Sequence, residues 1–133
     1  MARESLHVVE QMMVDDYREK HPDNEELLTL SDREVLQMCA PTVHDYKIYF
    51  ERLLSSLTAE KEKREQSLAE LRANYDNLFD WQKREKDGVG EEIKADITKE
   101  EGEIRSLESR IAEIRKEKKE RMARFYGPKS SRR

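Results

Sequence analysis

The fold is decided by residues 50–82, which read FERLLSSLTAEKEKREQSLAELRANYDNLFDWQ and contain neither glycine nor proline. One set of positions in this stretch recurs at alternating spacings of four and three residues, the a and d pattern of a coiled-coil seam. These positions are Phe50, Leu54, Leu57, Lys61, Arg64, Leu68, Leu71, Tyr75, Leu78 and Gln82. The pattern therefore predicts one long helix, from Thr42 to Lys86, with a narrow apolar stripe.

A second frame of the same kind follows the glycine-containing segment 87–90. Its a and d positions are Ile93, Ile97, Glu100, Ile104, Leu107, Ile111, Ile114, Lys118, Arg121 and Phe125. Glycines break helices, so the first helix is expected to end at this segment and a second to run from about residue 91 to residue 126. We predict an all-α protein in which the two arms form an antiparallel coiled-coil hairpin turning at 87–90.

Folding at that turn also predicts which seam residues face each other. In an antiparallel coiled coil, a positions lie opposite d positions. Centring the hairpin on 87–90 places Arg64 opposite Ile111 and Tyr75 opposite Glu100. Long basic side chains can cover apolar surface with their stems while the charge stays in water, so the polar seam positions are compatible with this register.

The alternative architecture is one continuous helix that forms a dimeric coiled coil. Gly88 and Gly90 would then lie inside a helix at a cost of about 1 kcal/mol each. The two heptad frames also differ in phase across this segment, which would disturb the supercoil locally. Both effects favour the hairpin.

Short helices are predicted before the hairpin, in an acidic region spanning residues 1–41. A helical stripe from about residue 3 to residue 20 is followed by the breaker 21–24. Ser31 and Glu34 have the spacing of a capping box, and Thr42 and Asp45 repeat it at the start of the long helix. Residues 127–133 begin with Gly-Pro and are predicted to be a flexible basic tail.

Composition and charge narrow the classes of function. Charged residues make up 42% of the 133 residues and hydrophobic residues 35%, which is typical of long helices rather than of a compact core. Residues 1–37 carry 4 basic and 10 acidic side chains, whereas residues 110–133 carry 10 basic and 3 acidic ones. Cys39 is the single cysteine and no apolar run could span a membrane, so we expect a cytoplasmic or, alternatively, a nuclear protein.

Histidine and cysteine residues are present, but their spacing does not match that of a metal site or a catalytic site. His7, His21 and His44 have no mutual metal-ligand spacing, and Cys39 has no second thiol. The Gly88-Val89-Gly90 segment lacks the rest of a phosphate-binding motif. We therefore expect no metal, no cofactor, no small-molecule substrate and no enzymatic activity.

Exposed aromatic and basic side chains are the candidates for binding a partner. Phe79 and Trp81 flank the seam near the expected hairpin tip, where they either contact a partner or pack along the seam edges and close the hairpin end. The stripe also widens at the start of the long helix, where either the N-terminal helices or a partner subunit would cover it, and basic residues cluster at the end of the second arm. The remaining candidates are Tyr46, Tyr49 and Phe50 in the first group and Lys118, Lys119, Arg121 and Arg124 in the second.

These features together favour a non-enzymatic scaffold or adaptor subunit that binds other helical proteins in a hetero-oligomer. The style of the sequence resembles that of small subunits of cytoskeletal, ciliary, kinetochore and trafficking assemblies. The alternative is a protein whose basic C-terminal end binds an acidic filament or nucleic acid through salt-sensitive contacts.

Overall fold

The computed structural model describes residues 6–126, and every regular element in this range is a helix. The two long helices pack against each other as a helical hairpin. This confirms the predicted all-α fold class and the hairpin rather than the continuous rod. The helices are α1 (Val8–Lys20), α2 (Glu26–Thr29), α3 (Asp32–Cys39), α4 (Val43–Asp76), α5 (Asp80–Arg84) and α6 (Val89–Tyr126).

Both predicted capping boxes are present. The Glu34 backbone N–H donates to Ser31 Oγ (3.2 Å), and the Ser31 N–H donates to Glu34 Oε1 (2.9 Å). At the start of α4, Asp45 N–H donates to Thr42 Oγ1 (3.1 Å) and Thr42 N–H to Asp45 Oδ2 (2.9 Å). Each pair satisfies two backbone donors that a helix start leaves free, so these two boundaries follow from local chemistry alone.

The predicted heptad positions are the covered positions of the two long arms. All ten positions from Phe50 to Gln82 are buried or half-buried, and so are nine of the ten from Ile93 to Phe125. The exception is Phe125, which is 41% exposed. The burial pattern thus confirms the heptad frames within α4 and α6, whereas Leu78 and Gln82 lie in the connection beyond the end of α4.

The connection between the arms differs from the prediction. Helix α4 ends at Asp76, ten residues before the expected end at Lys86, and the chain then forms the short helix α5 before α6 begins at Val89. Only the last part of the connection, where Asp87 has a positive φ of 60°, coincides with the expected turn at 87–90. Gly90 is already helical, and a Cβ atom there would lie 2.7 Å from the Gln82 carbonyl oxygen.

The register of the seam also differs. The predicted register separates Arg64 from Glu100 by eleven residues along the partner helix, or about 16 Å at 1.5 Å per residue. In the structure, Arg64 Nη1 lies 3.0 Å from Glu100 Oε1. Two side chains that far apart along the helix axis could not form this ion pair, so the predicted register is wrong.

Two further contacts show the size of the shift. Lys61 Nζ lies 3.4 Å from Glu108 Oε2, and Lys94 Nζ lies 5.6 Å from the centre of the Tyr75 ring. Both fit a register one heptad away, in which Tyr75 is opposite Ile93. Registers seven residues apart satisfy the same a and d pattern, so the earlier end of α4 selects between them.

The chain divides into two compact units. Among the described residues, the first unit comprises 6–53 and 116–126, and the second comprises 54–115. In the first unit α1 packs on α3, and Val14, Leu27 and Val35 form a buried cluster. The predicted tail at 127–133 lies outside the described residues.

Candidate functional site

The connection at the end of the hairpin exposes two large aromatic side chains. Phe79 is 70% exposed and Trp81 is 60% exposed. Val89, at the start of α6, is 39% exposed. We call these three residues the tip patch. Phe79 and Trp81 were predicted to flank the tip, and the structure leaves both open to solvent.

Contacts within the second unit hold the tip patch in place. The Phe79 N–H donates to Gln82 Oε1 (2.9 Å), which caps α5. The first turn of α6 meets the backbone of α5 so closely that a Cβ on Gly90 would lie 3.0 Å from Lys83 Cα. The aromatic side chains therefore project from a connection that is tied to its own helices.

Tyr75 provides a second anchor beneath this connection. The ammonium group of Lys83, in α5, lies 5.4 Å from the centre of the Tyr75 ring, and that of Lys94, in α6, lies 5.6 Å from it. Cation–π contacts of this length are favourable. The Tyr75 ring thus links α4 to both elements that follow it.

Acidic side chains outnumber basic ones in the sequence around the tip patch. Residues 76–92 contain six carboxylates and three basic groups. Among the basic groups, Lys83 is half-buried over Tyr75, whereas Arg84 and Lys86 are exposed. All six carboxylates are exposed, namely Asp76, Asp80, Glu85, Asp87, Glu91 and Glu92. The exposed surface around the aromatic pair therefore carries a net negative charge.

Two other predicted binding residues belong to the core of the first unit. Phe50 is fully buried and Tyr46 is only 7% exposed. The Phe50 ring lies 5.2 Å from that of His7, and the Tyr46 ring lies 4.9 Å from that of Phe125. The sequence left open whether the N-terminal helices or a partner cover these aromatics, and within this unit His7 and the end of α6 supply the cover.

A polar cluster in the same unit involves Tyr46, Glu10 and Arg121. The Tyr46 hydroxyl donates to Glu10 Oε2 (2.7 Å), and Arg121 Nη1 lies 3.1 Å from the same oxygen. Burial raises the pKa of Glu10, but hydrogen bonds from Tyr46 and the His7 N–H and the charge of Arg121 outweigh it and lower that pKa. Burial and the adjacent Glu10 raise the pKa of Tyr46 to about 12.

His7 completes the links between α1 and α6 in this unit. Its Nδ1 accepts a hydrogen bond from Val9 N–H (3.1 Å) at the start of α1, and its Nε2 lies 3.1 Å from Glu117 Oε1. Sequence reasoning did not anticipate roles for Glu10 and Glu117. The spacing of His7 and Glu10 at i and i+3 is the one available signal, since it is the spacing of a capping box.

Tyr49 is half-buried and engaged with α1. Its hydroxyl donates to Asp16 Oδ2 (2.7 Å), and the guanidinium of Arg52 lies 4.7 Å from its ring centre and 2.9 Å from the same carboxylate. Hydrogen bonds from Tyr49 and Arg52 lower the pKa of Asp16. Burial and the bond to Asp16 raise the pKa of Tyr49. The Tyr49 hydroxyl is therefore hydrogen-bonded within the chain.

The basic candidates on α6 divide into two groups. Lys119 and Arg124 are exposed, whereas Lys118 is half-buried and Arg121 is paired with Glu10. The structure therefore leaves two of the four predicted basic residues fully open to a partner.

Cys39 lines a small cleft of about 150 Å³ in the first unit, beside Met13, Tyr17 and Tyr49. Its thiol lies 4.0 Å from the Met13 carbonyl oxygen, and burial raises its pKa. A raised pKa disfavours the reactive thiolate. Across residues 6–126, no three His, Cys, Asp or Glu side chains are grouped as metal ligands.

Comparison with known proteins finds no family model, no curated protein and no solved structure that matches this chain. No helix among the described residues is both long and apolar enough to cross a lipid bilayer.

Proposed function

We propose that this chain is a non-enzymatic scaffold or adaptor subunit that binds another helical protein through the tip patch. The proposal is supported mainly by the exposure of Phe79 and Trp81, at 70% and 60%, on a connection that is held by contacts with its own helices. Large aromatics are the residues most enriched among those that dominate binding energy in protein interfaces.

The energetics of such a site are favourable. An aromatic side chain buries about 150–250 Å² when it is covered, and apolar burial contributes about 25 cal/mol per Å². Two such side chains offer several kcal/mol on association, before the cost of lost motion. The capping bond at Phe79 and the contact of Gly90 with α5 already restrict the connection, which reduces that cost.

Quantitative affinity capture from an extract of the source organism tests the proposal. Wild-type protein is compared with the double variant Phe79→Ser/Trp81→Ser. The matched control is Leu28→Ser, because Leu28 is 82% exposed and lies in the other unit. We expect specific partners to be depleted at least fivefold by the tip variant and retained by the control. Equal recovery with all three proteins would refute a binding role for the tip patch.

A second candidate function uses the basic end of α6. Lys119 and Arg124 are exposed there and could contact an acidic filament or nucleic acid. Reversing both charges should then abolish binding to polymerised tubulin or to DNA in a sedimentation or gel-shift assay, and salt should weaken it steeply. Binding that the double reversal leaves unchanged would exclude this route.

A further inference from the structure

We infer that the partner segment received by the tip patch is a basic amphipathic helix, an inference that rests on the proposed function and specifies its partner. The tip combines an apolar centre with an acidic border. Phe79, Trp81 and Val89 supply exposed apolar surface, and the six exposed carboxylates of residues 76–92, here called the acidic border, lie between or beside them in the sequence. A helix with an apolar face and flanking lysines or arginines is complementary to both features.

The position of Lys83 strengthens the acidic character of this surface. Its ammonium group lies over the Tyr75 ring and its side chain is half-buried, so one of the three basic groups of the tip is turned toward the protein. Arg84 and Lys86, together with Lys94 beside the Tyr75 ring, are left to oppose six carboxylates. Charge complementarity in an interface selects partners and accelerates encounter, so this imbalance favours a cationic segment.

The same imbalance disfavours the other two occupants of an exposed aromatic tip. Aromatic side chains also insert at lipid surfaces, but cellular membranes that attract proteins by charge are anionic and would repel this border. A second copy of the tip would bring two acidic surfaces together, which costs free energy in the absence of salt.

Trp81 makes a direct test possible, because it is the sole tryptophan of the chain and it lies in the site. Covering an exposed indole shifts its fluorescence emission to shorter wavelength. The full chain is titrated with a designed amphipathic helix of leucine and lysine, and in parallel with one in which glutamate replaces every lysine. We expect a blue shift that saturates with the lysine peptide and none with the glutamate peptide.

Three variants distinguish the contribution of the aromatic side chains from that of the acidic border. All three retain Trp81 as the fluorescent probe. Phe79→Ser removes half of the aromatic pair and should weaken binding of the lysine peptide about tenfold, or about 1.4 kcal/mol. Neutralising the border with Asp80→Asn/Glu91→Gln/Glu92→Gln should weaken it by a similar factor. The matched control, Glu62→Gln/Glu70→Gln/Glu113→Gln, removes three exposed carboxylates elsewhere on the second unit and should leave binding unchanged.

Three results would overturn the inference. The first is an equal shift with both peptides, which would mean that charge has no role. The second is a blue shift with vesicles of phosphatidylcholine and phosphatidylserine at a 3:1 ratio that exceeds the shift with the lysine peptide, which would assign the tip to a lipid surface. The third is a shift that grows with the concentration of the protein alone, which would assign it to a second copy.

Failure of this inference is distinguishable from failure of the proposed function. Partners that depend on Phe79 and Trp81 in the capture experiment would preserve the function even if the lysine peptide does not bind. In that case the partner recognises the tip through some other chemistry. Capture that is indifferent to the tip variant removes the function and this inference together.

Discussion

The two units of the chain are stabilised in different ways. In the first unit, four side chains from three helices are fully buried, namely Val9, Val14, Val35 and Phe50. Polar side chains distant in sequence also meet there, as when Arg121 and Tyr46 both contact Glu10. This unit has a small core that several elements complete together.

The second unit depends on a narrow seam. Ile114 is fully buried, whereas Leu68, Ile104 and Ile111 keep 6–8% of their surface exposed. Ion pairs such as Lys61–Glu108 lie at its edges with both side chains partly in solvent. Exposed ion pairs contribute little, about 0–1 kcal/mol each, so apolar contacts along the seam supply most of the stability.

Fully buried side chains are concentrated in the first unit, whereas buried surface in the second unit is distributed along the seam. Losing one core residue should therefore damage the first unit strongly. Changes at the partly exposed seam positions of the second unit should have smaller effects, whereas a side chain added at Gly90 would meet the backbone of α5.

The largest effect is expected for Phe50→Ala. Replacing a fully buried phenylalanine leaves a cavity and costs about 3–5 kcal/mol. The control Ile48→Ala, at a position 39% exposed on the same helix, should cost less than about 1 kcal/mol. Urea unfolding followed by circular dichroism at 222 nm measures both. Similar losses from the two variants would contradict the core assigned to this unit.

The next effect separates two glycines of α6. Gly90→Ala should destabilise the protein by about 1–3 kcal/mol, because its Cβ would meet the Gln82 carbonyl oxygen at 2.7 Å and force the connection to move. Gly102→Ala meets nothing within 4 Å and should stabilise the helix by up to about 1 kcal/mol. Thermal unfolding of the pair gives opposite signs if the connection packs as described. Two stabilising substitutions would show that α5 is not held against α6.

A smaller effect, of about 1–2 kcal/mol at neutral pH, is expected for Glu10→Gln, which removes the anionic acceptor shared by Tyr46 and Arg121. Folding lowers the pKa of Glu10 below its usual 4.5. The Glu10 carboxylate therefore makes its full contribution to the free energy of unfolding above about pH 4.5, and this contribution is lost as the pH falls through the folded-state pKa.

Stability measured between about pH 6 and about pH 3 should consequently fall less steeply in the Glu10→Gln variant than in the wild type. Glu19→Gln, an exposed position on the same helix, is the control and should keep the wild-type slope. Parallel curves for Glu10→Gln and the wild type would mean that the carboxylate is not stabilised by its partners.

The smallest effect is expected for Lys61→Leu in the second unit. Lys61 occupies an a position and is half-buried, with partly exposed Glu65 and Glu108 as its partners. Leucine at this position adds apolar contact to the seam, and the lost surface ion pairs contribute little, so we expect a gain of about 0.5–1 kcal/mol. Lys63→Leu, at an exposed position, is the control. A lower melting temperature for Lys61→Leu would show that the pairs outweigh apolar contact.

Local patterns in the sequence determined the helical class, the capping boxes at Ser31 and Thr42, and the positions that form the seam. These features follow from periodicity and from hydrogen bonds within four residues, which act wherever the helix lies. The place of Phe79 and Trp81 near the end of the hairpin was compatible with exposure or with packing along the seam edges, and the structure leaves both exposed on a connection that begins ten residues earlier than expected.

The tertiary structure alone decided the seam register, the form of the connection and the burial of Tyr46 and Phe50. A heptad pattern is satisfied equally by registers seven residues apart, so the choice depends on where α4 ends. Whether an apolar side chain at the start of α4 is covered depends on residues such as His7, more than forty positions away. Such contacts are set by packing between distant segments, which no local pattern encodes.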